Sequence, residues 1–188
     1  MLNLEIIITS TRPGRAGLPI GKWFEEFAKK DARFNVSVAD LAEINLPFMD
    51  EPNHPRFQQY IQDHTKAWSA RIARADVFVI ILPEYNFSLP PALVNAVDYL
   101  LNEWKYKAAG FVSYGGVSGG TRSAQMAKQL LTAVSIMPIY EAVTLAFFNQ
   151  YMKEDIFTPN EITEKAATAM LNELFKWGEA LKPLRQQS

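Results

Sequence analysis

Two stretches of this sequence combine residue types at spacings suited to holding a ligand. Thr9-Ser10-Thr11-Arg12-Pro13-Gly14-Arg15-Ala16-Gly17 follows an apolar run and precedes an amphipathic one. A turn that closes a strand and opens a helix presents backbone N–H groups with no helical acceptor, at the positive end of the helix dipole. Ser10 and Thr11 add hydroxyls, Arg12 and Arg15 add guanidinium groups, and Gly14 and Gly17 permit close approach or positive φ. That set suits a phosphate, each charge-assisted bond contributing roughly 1.5–3 kcal/mol. The chain has neither Gly-x-x-x-x-Gly-Lys-Ser/Thr nor Gly-x-Gly-x-x-Gly, which sets aside a P-loop and a dinucleotide fingerprint. An ordinary hydrophilic turn remains the alternative for this stretch taken alone.

The second stretch, residues 83–91, reads Pro-Glu-Tyr-Asn-Phe-Ser-Leu-Pro-Pro. Tyr85, Asn86 and Phe87 are costly to expose at a strand end unless a flat ligand uses them. The prolines stiffen the loop, and Ser88 is the expected N-cap of the helix that follows. A third loop, residues 113–122, carries four glycines that let backbone pass close to a ring, with Tyr114 placed to cover it. Taken alone, these two loops also suit a rigid turn with an aromatic plug and a flexible connection.

The elements that must position these loops alternate. Residues 4–8 form a short β-branched strand, and Ile20, Trp23, Phe24, Phe27 and Ala28 repeat at helical spacing behind Pro19. Residues 34–41 alternate as a half-buried strand, residues 45–55 hold three prolines and form a loop, and Ile61, Trp68, Ile72 and Ala75 mark a second helix. Residues 77–82 are apolar throughout, as a central parallel strand is. A helix on Leu93, Ala96, Val97, Leu100 and Leu101, a strand at 110–114, and a helix on Ala124, Ala127, Leu131 and Val134 come next. A fifth strand is expected near 139–145, then a last helix capped by Thr158 with Pro159 at its first position and Ala166, Met170, Leu174, Trp177 and Leu181 on its buried face. Five strands alternating with five helices predict an α/β three-layer sandwich on a five-stranded parallel sheet. All three loops then fall at the carboxyl edge, where such folds bind ligands and where a mononucleotide fits.

Composition narrows the function. The 188 residues, 48% of them hydrophobic, fit a single domain over residues 1–188. A net charge of -1 gives no electrostatic reason to expect nucleic acid or an anionic membrane as partner. The absence of cysteine removes thiol chemistry, so redox work needs a bound cofactor. His54 and His64 match no metal or triad spacing, and no metal site is expected. The first residues run into a strand without a basic leader, and no apolar run reaches membrane-spanning length, so a soluble cytoplasmic protein is expected.

These loops resemble the NADPH-dependent FMN reductase family. The resemblance rests on Thr9-Ser10-Thr11-Arg12, on Pro83-Glu84-Tyr85-Asn86, on Asn95-Ala96-Val97-Asp98-Tyr99 and on the glycine-rich run from Gly115 to Arg122. Thr9 stands where glycine is usual, and Val94 where the family often carries lysine. The resemblance implies a flavodoxin-like fold with FMN as cofactor. It sets the phosphate on Ser10, Thr11, Arg12, Arg15, Ala16, Gly17 and Leu18, and the isoalloxazine against Pro83, Glu84, Tyr85, Asn86, Ser113, Tyr114, Gly115 and Gly116. It further implies hydride transfer from NADPH or NADH to the flavin, then electron transfer to a small acceptor such as free flavin, a quinone, an azo compound or chromate, by a ping-pong reaction. The cofactor carries that chemistry, so no catalytic side chain is assigned. Arg15 or Arg122 could supply the cation for the ribose 2′-phosphate of NADPH, the alternative being that both are ordinary surface charges. The family's habit of assembly implies a homodimer or homotetramer, with Phe147, Phe148, Tyr151 and Phe157 either covering the sheet edge or meeting another subunit. A flavodoxin-like electron carrier without its own turnover is the rival reading.

Overall fold

The computed structural model describes residues 1–185. Five parallel strands, β1 (Leu2–Ile8), β2 (Phe34–Asp40), β3 (Val77–Pro83), β4 (Ala108–Tyr114) and β5 (Met137–Leu145), form one sheet in the order β2-β1-β3-β4-β5. The chain runs outward from β1 to β2, then crosses to β3 and continues the other way. This is the flavodoxin-like order, with its topological switch between β1 and β3.

Six helices flank the sheet: α1 (Gly17–Ala28), α2 (Leu41–Ile44), α3 (Asp63–Arg74), α4 (Pro91–Asp98), α5 (Thr121–Ala133) and α6 (Glu161–Arg185). Alternate side chains of the strands divide the core in two. Leu4, Ile6 and Ile8 of β1 join Ile20 and Phe24 of α1 and Met170 and Leu174 of α6 on one face. Ile7, Phe78 and Ile80 join Trp68 of α3, Val97 of α4 and Leu131 of α5 on the other. Every residue of β3 is buried, as its unbroken apolar run predicts. Two indole N–H groups fix α4, Trp68 donating to the Ala96 carbonyl at 2.8 Å and Trp104 to that of Val97 at 3.1 Å.

Leu100 and Leu101 lie beyond α4, which ends at Asp98, and other details also differ from the sequence reading. Ile61 lies outside α3, which starts at Asp63. The last helix is capped by Asn160, whose side chain accepts the Thr163 N–H at 2.9 Å, so Thr158 and Pro159 lie outside it. Its buried face is Ala167, Met170, Leu171, Leu174 and Gly178, and Trp177 is exposed. The fifth strand starts at Met137 and its register slips, since Ala109 pairs with Pro138 but Phe111 with Ala142, which masks its alternation. A small hairpin, β6 (Met152–Lys153) with β7 (Ile156–Phe157), precedes α6.

Candidate functional site

The three loops leave the carboxyl ends of β1, β3 and β4, which are neighbours in the sheet, and so they meet. One cleft of about 240 Å³ is lined by Arg12, Arg15 and Ala16 from the first loop, Pro83, Glu84 and Tyr85 from the second, and Tyr114, Gly115 and Gly116 from the third. Phe148 completes the wall. It arrives because the Phe147 and Phe148 N–H groups donate to the Gly116 and Gly115 carbonyls at 2.8 and 3.2 Å, and its ring meets Tyr114 edge-on at 5.4 Å. Larger clefts of about 510 and 390 Å³ lie beside β5 and beside α4, but neither joins the three loops.

One end of this cleft gathers two arginines at an uncapped helix start. The N-cap of α1 is Ala16, which has no side chain to cap the first turn, and Pro19 has no N–H to offer. Arg15 Nε is a buried side-chain polar atom left without a hydrogen-bond partner among the described residues, while the buried Ser10 Oγ has the Tyr114 hydroxyl beside it. Burying such an atom unpaired costs about 1–3 kcal/mol, which a charged ligand would offset. Arg15 is held by the Asp40 carboxylate, whose other oxygen accepts the Ala42 N–H at 3.0 Å and caps α2. Arg12 is exposed and makes no ion pair among the described residues. Gly17 is required here, because a Cβ on it would fall on the Ser10 hydroxyl and 2.7 Å from that of Tyr114.

The other end is stiff and apolar. The Tyr85 N–H donates to the Ser88 carbonyl at 3.0 Å and the Ser88 N–H returns to Tyr85 at 2.9 Å. Asn86 and Phe87 between them have φ of 50° and 66°, the signature of a type I′ turn. Ser88 therefore belongs to the turn and does not cap α4; Pro90 holds the cap position and Pro91 opens the helix. Asn accepts left-handed backbone readily, whereas for Phe it costs about 1–2 kcal/mol. The Phe87 ring is two-thirds exposed, with the Arg122 guanidinium 3.8 Å from its centroid.

Glu84 ties this turn to the glycine loop. Its carboxylate accepts from Ser118 Oγ at 2.8 Å, Arg122 Nε at 2.6 Å and the Arg122 backbone N–H at 3.2 Å. Burial works against that charge, but the Arg122 guanidinium and the Ser118 hydroxyl hold its pKa below the usual glutamate value. Burial pushes the Tyr114 and Tyr85 phenols up, against the Ser10 hydrogen bond to Tyr114 and the pull of Arg12 and Arg15 on both.

The remaining expected site residues lie around the cleft rather than on its wall. Ser10 and Gly17 are buried just behind it, against Tyr114. Thr11 borders the neighbouring cleft with Leu46, Pro47 and Asn95. Leu18 packs on the core through α1, Asn86 is exposed on the turn, and Ser113 faces the cavity beside β5. Both arginines expected to meet a 2′-phosphate already have carboxylate partners, Arg15 with Asp40 and Arg122 with Glu84. Sequence reading missed Asp40 and the Glu84–Arg122 pair, because partners 25 and 38 positions apart leave no local signal.

A parallel α/β sheet with this cleft at the carboxyl edge of its switch point belongs to the class of open, doubly wound folds that bind their ligands there. Residues 2–150 match the family model described as NADPH-dependent FMN reductase, and the chain belongs to that family of oxidoreductases. It is 39% identical over 126 residues to an NAD(P)H-dependent FMN reductase of Schizosaccharomyces pombe, a match covering 66% of this chain and 63% of the relative, under two thirds of its length. It is 32% identical over 153 residues to an NAD(P)H-dependent FMN reductase of Nectria sp, covering 78% and 76%. Among solved structures, the flavoenzyme NAD(P)H:(acceptor) oxidoreductase FerB from Paracoccus denitrificans superposes with a TM-score of 0.76 at 20% identity over 96% of this chain and 98% of that one, a likeness of fold.

Proposed function

We propose that this chain is an FMN-dependent NAD(P)H oxidoreductase acting on a small acceptor: free flavin, a quinone, an azo compound or chromate. One observation carries the reading. The unpaired Arg15 Nε and the Ser10 hydroxyl stand at the uncapped N-terminus of α1, beside the cleft shared by Tyr85 and Tyr114. An anionic group on an otherwise flat, apolar ligand matches both ends at once.

In this reading Ser10, Arg12, Arg15 and the first-turn N–H groups of α1 take the phosphate, with Thr11, Ala16, Gly17 and Leu18 forming the turn. Pro83, Glu84, Tyr85, Asn86, Ser113, Tyr114, Gly115 and Gly116 shape the slot for the ring. When bound, FMN supplies a hydride acceptor for NAD(P)H and an electron donor for the second substrate, one entering after the other has left. The protein's work is to orient the ring, exclude water from its buried side and keep a positive field over its phosphate. No described side chain is asked to move a proton. We further propose that a second copy of the chain covers the open side of the cleft, since Phe87 and Phe147 leave large apolar surfaces exposed at its margin.

Anaerobic mixing of the FMN-loaded protein with NADPH tests the reading. Bleaching of the visible flavin band within the turnover time is expected. An unbleached band, in a protein that binds FMN, would favour an electron carrier that needs a separate reductase.

A further inference from the structure

Arg122 was read from sequence as a contact for the nicotinamide nucleotide, but its surroundings give it other work. Its backbone N–H and Nε both reach the Glu84 carboxylate, and its guanidinium carbon stands over the Phe87 ring, 3.8 Å from the centroid. Glu84 and Phe87 belong to the loop after β3, whereas Ser118 belongs to the loop after β4 and Arg122 to the first turn of α5 that ends it. One side chain therefore spans the two walls of the slot. It grips one wall twice, by charge at Glu84 just before the Tyr85–Ser88 turn and over the ring of Phe87 within it.

The turn itself indicates why. Its backbone, with positive φ at both central residues, is the form that favours Asn-Gly, and the chain supplies Asn86 but then Phe87. Phenylalanine at that position is disfavoured by the backbone and is largely exposed, with the Arg122 guanidinium over its ring. A strained, exposed aromatic kept under a guanidinium is a positioning device rather than a packing one.

We propose that Arg122 is a positioning residue that sets the separation and rigidity of the two ring-binding loops through Glu84 and Phe87, and that it does not read the nucleotide's 2′-phosphate. This rests on the proposed FMN cleft. Because both the charge pair and the contact over the ring are used, lysine is a poor replacement, offering one point charge and no planar face.

The test is a double-mutant cycle on the full chain, reading the FMN dissociation constant, the fine structure of the bound flavin's visible band, and KM for NADPH and NADH. Arg122→Gln and Glu84→Gln are each expected to weaken FMN about tenfold and blur the band. The double variant should be no weaker than the worse single one, because both act through one bridge. KM for NADPH and NADH should change by the same factor, and Arg122→Lys should not restore the wild-type spectrum. Phe87→Gly separates positioning from folding: it gives the turn its preferred Asn-Gly, so Tm should not fall, yet the band should blur as in Arg122→Gln. Multiplying effects in the double variant, or a rise in KM confined to NADPH, would overturn the proposal. So would a Phe87→Gly protein with an unaltered flavin spectrum. A wild-type protein that binds no FMN at all would instead overturn the cleft assignment beneath it.

Discussion

A Cβ on Gly17 would fall on the Ser10 hydroxyl, so the first turn of α1 and the end of β1 are in contact with no room for a methyl group. The Tyr114 hydroxyl, 2.7 Å from the same point, closes the space from the third loop. One glycine thus sets how closely the anion seat and the ring slot approach each other. Gly17→Ala should lower stability by about 1–3 kcal/mol through overpacking and weaken FMN at least tenfold. Adding Ser10→Ala, which removes the nearest atom, should recover part of the stability but not the affinity. Thermal melts and FMN titrations of the three proteins check both statements, and a fully stable Gly17→Ala with wild-type affinity would contradict them.

Arg12 and Arg15 sit three residues apart and should behave differently. Asp40 is buried, and removing Arg15 leaves its carboxylate without a cation, so Arg15→Gln should destabilise the apoprotein by about 3 kcal/mol. Arg12 is exposed with no carboxylate partner among the described residues, so Arg12→Gln should leave Tm within about 1 °C and still weaken FMN. Denaturant melts without ligand separate the two, and equal losses of stability would contradict the assignment.

At the opposite sheet edge, Lys107 donates to the Ile72 and Ala73 carbonyls at 2.6 and 3.1 Å. Burial lowers its pKa from 10.5 to about 8, the Arg185 charge adding to the effect and Asp76 and Glu103 opposing it. Between pH 8 and 10.5 the unfolded chain therefore binds more protons at this site than the folded one, so stability rises with pH across that window. The gain from this one group should reach up to about 3 kcal/mol. Lys107→Met lacks the titration, so wild-type stability should climb relative to the variant from pH 8 to 10.5. A flat difference in urea melts would show that the amine keeps its ordinary pKa.

Much of this architecture was legible because burial writes itself into local patterns. The unbroken run of β3 announced a strand covered on both faces, and the three loops were found because each follows such a run. Boundaries were less legible where competing signals sat side by side. Thr158-Pro159 reads as a cap and a first helical residue, but the helix starts after Asn160, whose side chain reaches the Thr163 N–H. Ser88 reads as a cap until its N–H is committed to Tyr85. Long-range pairs were not legible at all. Glu84 and Arg122 become partners only because β3 and β4 lie side by side, and the same holds for Arg15 and Asp40 across β1 and β2.

The central claim is that the loop after β1 grips a phosphate while the other two hold a ring. Comparing FMN with riboflavin, the same ring without the phosphate, tests it most directly by isothermal titration of the purified protein. Two or more charge-assisted bonds at the seat predict that FMN binds at least about a hundredfold tighter, and that Arg12→Gln narrows the gap by weakening FMN alone. Equal affinity for the two ligands would contradict the account.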